Sequence, residues 1–323
     1  MDKNTTMTIA ETSEWLKKHD NFLIIMHRRP DGDTIGCAGA LAQGLRETGK
    51  TVYILPNPET TQRYARFIDD YLAPDKYDPE IVIAIDIASY DLFPKNGNNY
   101  IGKVTLCIDH HPSNTYYAKF TCIDGSCASC GEIIYDLLIS IAGKISPKSA
   151  EGLYVALSTD TGCFAFANTT ANTLRIASLL VDAGAPQREL NRLLFRTKTR
   201  SRIKIEGLIY SGLEFYFNGA VAISTITRGM MGTANASEDD VDDIASIPGS
   251  IDGVLAGITL RELTSIRDCK VSVRTGPSVN AHLICAHFGG GGHPMAAGFT
   301  YSGTIAELKK ELLELLKDFF SES

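Results

Sequence analysis

The chain has 323 residues, a length that suits two domains better than one core. Its 44% apolar and 21% charged residues are the composition of a folded soluble protein, and no apolar run is long enough to span a bilayer. A net charge of −7 argues against the broad basic surface that grips long nucleic acid, although metals and a few arginines can still set a local field for a small anion.

In chain order, the N-terminal stretch "MDKNTTMTIAETSEW" lacks the basic-then-apolar pattern of a secretory signal, so a cytoplasmic location is expected. The eight cysteines are scattered through apolar segments and suggest no disulfide framework. "FLIIM" (22–26), "TVYIL" (51–55), "EIVIAI" (80–85) and "KVTLCI" (103–108) read as buried strands. Between the first two, "TIGCAGALAQGLRETG" reads as a helix that opens near Thr34 and stops at Gly49. This alternation predicts an α/β fold: a doubly wound, mostly parallel sheet with helices on both faces and ligands beyond the carboxyl ends of the strands. Helical patterns continue through "CGEIIYDLLISIAG", "SAEGLYVALSTD" and "TLRIASLLVDAG". Arg188, Arg192, Arg196, Arg200 and Lys204 then recur every four residues, which predicts one basic helix face on a solvated linker, with a border on an interdomain cleft as the sharper reading. A smaller α/β domain follows, with strands "GAVAIST", "GVLAGITL" and "CKVSVRT", a short helix "NAHLICAHF" and an amphipathic C-terminal helix. The acidic run "SEDDVDD" reads as a solvated helix start. The expected division is a first domain over 1–185, a basic helical linker over 186–212 and a second domain over 213–323.

Candidate ligands accumulate at the strand ends. "HRRPDGDTIG" supplies His27, Asp31 and Asp33 directly after the first strand. Asp86 ends the third strand, and Asp109, His110 and His111 end the fourth. "ALSTDTGCF" adds Asp160. Strand-end positions of such a sheet face one crevice, and several carboxylates there cannot all stay ionised without counter-charge. Two divalent cations would supply it, and a mixed imidazole and carboxylate set suits manganese, zinc or iron better than calcium. A pair about 3.5–4 Å apart would polarise a phosphoryl group and lower the pKa of water.

At this point the residues resemble a known family, the DHH phosphoesterases, in the DHH–DHHA1 subgroup of bacterial oligoribonucleases and phosphoadenosine phosphatases. The namesake triplet is Asp109-His110-His111 in "CIDHHPSNT". "HRRPDGDTIG", "AIDIA" and "STDTGCFAFANTT" match the family's other N-terminal motifs, and "FGGGGHPMAAG" (288–298) matches the glycine-rich DHHA1 signature. The resemblance implies that His27 and Asp31 hold one metal, that Asp33, His110 and Asp160 hold the other, and that Asp86 bridges them. It implies that Asp109 orients the histidines and that His111 faces the scissile phosphate. It makes Arg274 and His293 candidates for a substrate phosphate, with Gly289, Gly290, Gly291 and Gly292 as a close-approach cradle and His282 beside them. Manganese, as two ions, is the implied cofactor. The implied reaction cleaves short oligoribonucleotides and linear dinucleotides such as pApA, or removes the 3′-phosphate of phosphoadenosine phosphate. The implied partners are these small substrates, with no long nucleic acid, no membrane, and room for a homodimer.

Several residues have plainer readings. Gly32 is expected to permit the turn between Asp31 and Asp33. Cys127 and Cys130, a lone CxxC, suit a helix start. Asn168 to Thr170 are expected to cap the helix that begins near Asn172. The sequence departs from the family at "IASYDLFPK", where no arginine follows Asp86, and at Cys37, where serine is common. Competing readings are a cyclic di-AMP phosphodiesterase or an inorganic pyrophosphatase on the same scaffold, and a non-catalytic nucleotide-binding module. The GGGH signature weakens the pyrophosphatase reading, and the retention of every ligand weakens the non-catalytic one.

Overall fold

The computed structural model describes residues 4–241, 244–263 and 268–320. It divides into two compact units, Met1–Thr197 and Lys198–Ser323. Unit 1 contains strands β1 (Thr5–Thr6), β2 (Phe22–Met26), β3 (Val52–Ile54), β4 (Ile81–Ile85), β5 (Leu106–Asp109) and β6 (Phe120–Ile123). Its helices are α1 (Ile9–Lys18), α2 (Gly32–Glu47), α3 (Gln62–Ala65), α4 (Cys130–Ala142), α5 (Pro147–Asp160), α6 (Ala171–Asp182) and α7 (Gln187–Asn191).

The six strands form one sheet in the order β1-β6-β5-β4-β2-β3, and every neighbouring pair is parallel. The expected parallel sheet is therefore present. β2 and β4 are buried on both faces, so they read as unbroken apolar runs. Phe22, Ile24 and Met26 of β2, with Ile81, Ile83 and Ile85 of β4, point into the main core with α2, α4 and α5. Ile25, Val82, Ala84 and Cys107 point the other way. That second face is covered by Phe93, Tyr90, Tyr100 and Tyr117 from short 3-10 turns and loops, where helices were expected. α2 and α5 cross closely because neither has a side chain at the contact: a Cβ on Gly36 would stand 2.2 Å from the Gly152 carbonyl oxygen. β1 and β6 were not anticipated, being two and four residues long at the edge of the sheet.

Unit 2 contains α8 (Arg200–Ser211), β7 (Glu214–Tyr216), β8 (Val221–Ile226), α9 (Arg228–Ala234), β9 (Ala256–Glu262) and β10 (Asp268–Thr275). α10 (Ala281–His287), β11 (Gly291–His293), β12 (Ala296–Ser302) and α11 (Ile305–Phe320) complete it. Its sheet order is β11-β12-β10-β9-β8-β7, with only β8 and β9 parallel. One core joins the sheet to α10 through Ala281, Ile284 and Cys285 and to α11 through Leu308, Leu312 and Leu316. A second joins α8 and α9 through Ile205, Ile209 and Ala234.

The basic segment is helical in pieces. α7 runs into a π-turn at Arg192–Arg196, and α8 starts afresh behind an N-cap at Thr199. Arg188 and Arg200 thus lie on different helices, and the single basic face does not form. The acidic run also differs from its expectation. Asp240 is buried and accepts hydrogen bonds from the Thr199 hydroxyl and from the amide and hydroxyl of Ser237, so it braces the start of α8. Asp242 and Asp243 lie outside the described residues.

Candidate metal centre

The carboxyl ends of β2, β4 and β5, with the last residue of α5, bring the N-terminal motif residues together. His27 follows β2, and its Nδ1 lies 2.8 Å from the Arg28 carbonyl, to which it donates. That bond aims Nε2 at the carboxylates, 3.6 Å from Asp31 Oδ1 and 3.8 Å from Asp86 Oδ2. His110 is arranged in the same way. Its Nδ1 donates to the Cys127 carbonyl at 3.1 Å, and its Nε2 stands 3.6 Å from Asp33 Oδ2, 3.6 Å from Asp86 Oδ1 and 3.5 Å from Asp160 Oδ2. Among the described residues, His27, Asp31 and Asp86 form one group whose donor atoms lie within 4.8 Å of one another. Asp33, His110 and Asp160 form a second such group, and Asp86, His110 and His111 a third.

Asp31 and Asp33 reach opposite sides because a helix starts between them. Asp31 is the N-cap of α2, and its Oδ1 accepts from the amides of Asp33 and Thr34 at 3.0 and 3.2 Å. Gly32 is the first helical residue and does not make a turn of special φ. It is glycine because a Cβ there would stand 2.4 Å from the Thr159 side chain of α5, which corrects the expected reason. Asp33 is held by the N-terminus of α4: Oδ2 accepts from Cys130 N at 2.8 Å, and Oδ1 accepts from the Ser129 hydroxyl at 2.9 Å and Gly131 N at 3.3 Å. The Cys37 thiol donates to the same Oδ1 at 3.2 Å.

Asp86 is 3% exposed and has φ of 58°, a left-handed conformation uncommon outside glycine. Its Oδ1 is buried and makes no hydrogen bond. An orphaned carboxylate oxygen, encircled by imidazole and carboxylate donors, is the environment that a divalent cation satisfies. The field agrees. Burial, then the charges of Asp86, Asp160 and Asp31, pushes the Asp33 carboxyl well above the usual range. Burial and the charges of Asp86 and Asp31 outweigh His110 and raise Asp160 to about 6. Burial opposes charge on His27, but Asp31 and Asp86 prevail and raise it to about 9. The crevice holds more negative charge than its protein groups neutralise, and the residues present therefore fit metal ions.

Asp109 has a different environment. Its Oδ1 accepts from the amides of His110 and His111 and from His111 Nδ1 at 2.8 Å, and its Oδ2 accepts from Asn114 Nδ2 at 2.6 Å. His111 is 41% exposed; its bond to Asp109, then the Asp86 carboxylate, whose Oδ1 lies 3.3 Å from Nδ1, raise its pKa to about 11.

In unit 2, Arg274 on β10 lines a groove of about 420 Å³ with Lys270, Ser272, Gly291 and Thr300. His293 is exposed on β11, and a Cβ on Gly291 would stand 3.8 Å from His282 Cε1. The glycine run is only partly a loop. Gly291 and Gly292 begin β11, and a Cβ on Gly290 or Gly292 would collide with β12, at 2.4 Å from Gly298 O or 2.6 Å from Ala296 O. Gly289 has open space around it.

The DHH family N-terminal domain model matches residues 21–157, and the DHHA1 domain model matches residues 218–322. The chain belongs to the DHH–DHHA1 family. Among its relatives, the bifunctional oligoribonuclease and PAP phosphatase NrnA of Thermus thermophilus is 30% identical over 297 residues, covering 91% of this chain and 89% of that protein. The protein of the same name from Bacillus subtilis is 29% identical over 298 residues, covering 90% and 92%. An exopolyphosphatase-related protein from Bacteroides fragilis has the same fold, with a TM-score of 0.86, 24% identity and 97% of each chain covered.

Sequence reading of this DHH–DHHA1 chain missed several residues that hold the donors in place. Asn114 grips Asp109 from inside the quoted "CIDHHPSNT", so a signal was present. Ser129 lies inside the CxxC segment, and nothing local tells that it meets Asp33 across 96 residues of chain. Asn168 does not cap α6; Thr170 does, while Asn168 Nδ2 donates to the carbonyls of Ala128 and Asp160 at 3.1 Å each.

Proposed function

We propose that the chain is a manganese-dependent phosphohydrolase that cleaves short oligoribonucleotides and linear dinucleotides such as pApA, and that removes the 3′-phosphate of phosphoadenosine phosphate. The observation that carries this reading is the pair of donor groups meeting at Asp86, whose Oδ1 is buried without a partner, in a chain aligned nearly end to end with oligoribonuclease and PAP phosphatase relatives. His27, Asp31 and Asp86 would hold one ion, and Asp33, His110 and Asp160, with Asp86 as bridge, the other. Two such ions supply Lewis-acid polarisation of a phosphoryl oxygen and a lowered pKa for water.

The chain's own residues do the rest. The Nδ1–H bonds of His27 and His110 to backbone carbonyls leave each Nε2 free to ligate. Asp109 holds the His111 ring by Nδ1, so Nε2 is the atom available to donate to a phosphate or to the departing ribose oxygen. In unit 2, Arg274 offers a guanidinium fork for a second phosphate, with His293, His282 and the backbone of Gly289 to Gly292 around it. The first unit, taken as 1–185, would carry the chemistry, and 213–323 would carry nucleotide recognition, joined by 186–212. No described helix is long and apolar enough to cross a membrane. All eight cysteines are free, which supports a reducing, cytoplasmic setting.

The test is a rate comparison on pApA, phosphoadenosine phosphate, cyclic di-AMP and a short RNA, in metal-free buffer and with manganese added. Hydrolysis of pApA and phosphoadenosine phosphate that is lost with EDTA and restored by manganese better than by calcium is expected. Full activity in metal-free buffer, or turnover of cyclic di-AMP alone, would overturn the proposal.

A further inference from the structure

The segment after Asp160 has an unusual backbone. Gly162, Cys163 and Phe164 have φ of 57°, 58° and 65° in succession. L-residues rarely adopt this conformation, and two of the three are not glycine. Such outliers persist where the surroundings over-determine them, and they gather at ligand sites. The surroundings here are specific. Phe164 packs against the core with its ring 5.9 Å from that of Tyr154. Cys163 N donates to Ser158 O at 2.6 Å. Asn168 ties the far end of the segment to Asp160 and Ala128.

The consequence is the placement of Phe166. Its amide donates to Thr161 O at 3.0 Å, and its ring lies over Gly162, where a Cβ would stand 2.5 Å from Cε1 and Cζ. Gly162 thus backs the ring closely on one side. The side chain is nevertheless 60% exposed, the most exposed large apolar side chain among the described residues. A single exposed apolar residue is usually unremarkable, but this one is braced rather than free, and the glycine it covers lies two residues from Asp160, a candidate metal donor. Two Cα steps of about 3.8 Å each separate Asp160 from Gly162.

We infer that Phe166 is a stacking platform for a nucleobase of the substrate, the base borne by a ribose next to the phosphate undergoing hydrolysis. This deepens the phosphohydrolase reading and rests on it. Every base has a π-face, so stacking tolerates any base while rejecting a sugar phosphate or an inorganic phosphate chain. The braced ring loses little freedom when a base settles on it.

The experiment compares kcat and KM of the wild type, Phe166→Ala and Phe166→Tyr on pApA and on its counterpart lacking both bases. The preference of the wild type for pApA should fall about tenfold in Phe166→Ala, mainly through KM, and return in Phe166→Tyr. Loss of turnover in equal proportion on both substrates, or an undiminished preference, would overturn the inference. A second measurement is independent of turnover: Phe166→Trp fluorescence, corrected for Trp15, should be quenched saturably by AMP and not by ribose 5-phosphate. Quenching in a protein that hydrolyses no dinucleotide would uphold the platform and reject the proposed reaction, whereas identical responses to the two ligands would reject the platform.

Discussion

The proposed bridging position shows how much one side chain can carry. Asp86 sits at the end of a central strand, in a left-handed conformation, with Oδ2 toward His27 and a buried Oδ1, which makes no hydrogen bond, toward His110 and His111. Asparagine tolerates that φ better than most residues and has nearly the same shape, so Asp86→Asn should keep the fold. It removes the one charge shared by the two donor groups. Turnover of pApA should fall by about a hundredfold or more, with unchanged circular dichroism and weakened manganese binding by calorimetry. Turnover like that of the wild type would remove Asp86 from the mechanism. Asp109 is the contrasting case: its oxygens are occupied by backbone amides, His111 and Asn114, so it organises the site without an oxygen left to share.

At the scale of elements, the candidate metal donors are set by helix ends. α2 begins at Asp31, α4 meets Asp33 with its first amides, and α5 ends on Asp160. α8 in unit 2 is fixed by charge instead. Glu206 is 8% exposed and accepts from Arg202 Nε at 2.7 Å and Lys198 Nζ at 2.6 Å. Burial raises its pKa, but the bonds from Arg202 and Lys198 outweigh it and the net shift is downward. A carboxylate depressed in the folded state stabilises above its unfolded pKa, and that stability is lost as pH falls through the lower folded value. Glu206→Gln should therefore cost about 1 kcal/mol at pH 7, with the gap to wild type closing below the ordinary glutamate value of 4.5. Thermal unfolding of both proteins at pH 7 and at acid pH measures this, and an equal gap at both would assign the loss to packing.

For the whole molecule, charge and the separation of roles make the prediction. The −7 net charge gives longer RNA little to gain beyond the few phosphates that the metals and Arg274 would hold. Catalytic efficiency should fall from 2-mers to 5-mers and drop by about tenfold or more for RNA of about 20 nucleotides, read as initial rate against length at fixed manganese and salt. Efficiency that rises with length would show an open track for extended RNA. Arg274→Ala should impair pApA more than a generic diester such as bis-p-nitrophenyl phosphate, because its guanidinium lies in unit 2, whereas the candidate metal-donor groups among the described residues lie in unit 1. Equal losses on both would make Arg274 structural.

What the sequence determined by itself was whatever depends on short-range pattern. Short apolar runs rich in β-branched residues, such as "FLIIM" and "IVIAI", read as buried strands, and the ligand-bearing motifs sit at their ends, so the parallel sheet and the family could be read directly. Tertiary structure alone decided what depends on meetings between distant segments. Ser129 reaches Asp33, Asn168 joins Asp160 to Ala128, and Gly32 yields to Thr159, none of which has a local signature. The basic repeat from Arg188 to Lys204 promised one helix face, but the chain breaks at Thr197 to Thr199, where Thr199 caps a new helix and bonds to the buried Asp240. Periodicity fixes which residues could share a face. Only packing decides whether the helix continues long enough for them to do so, because a cap and a buried partner outweigh the small propensity differences along a charged segment.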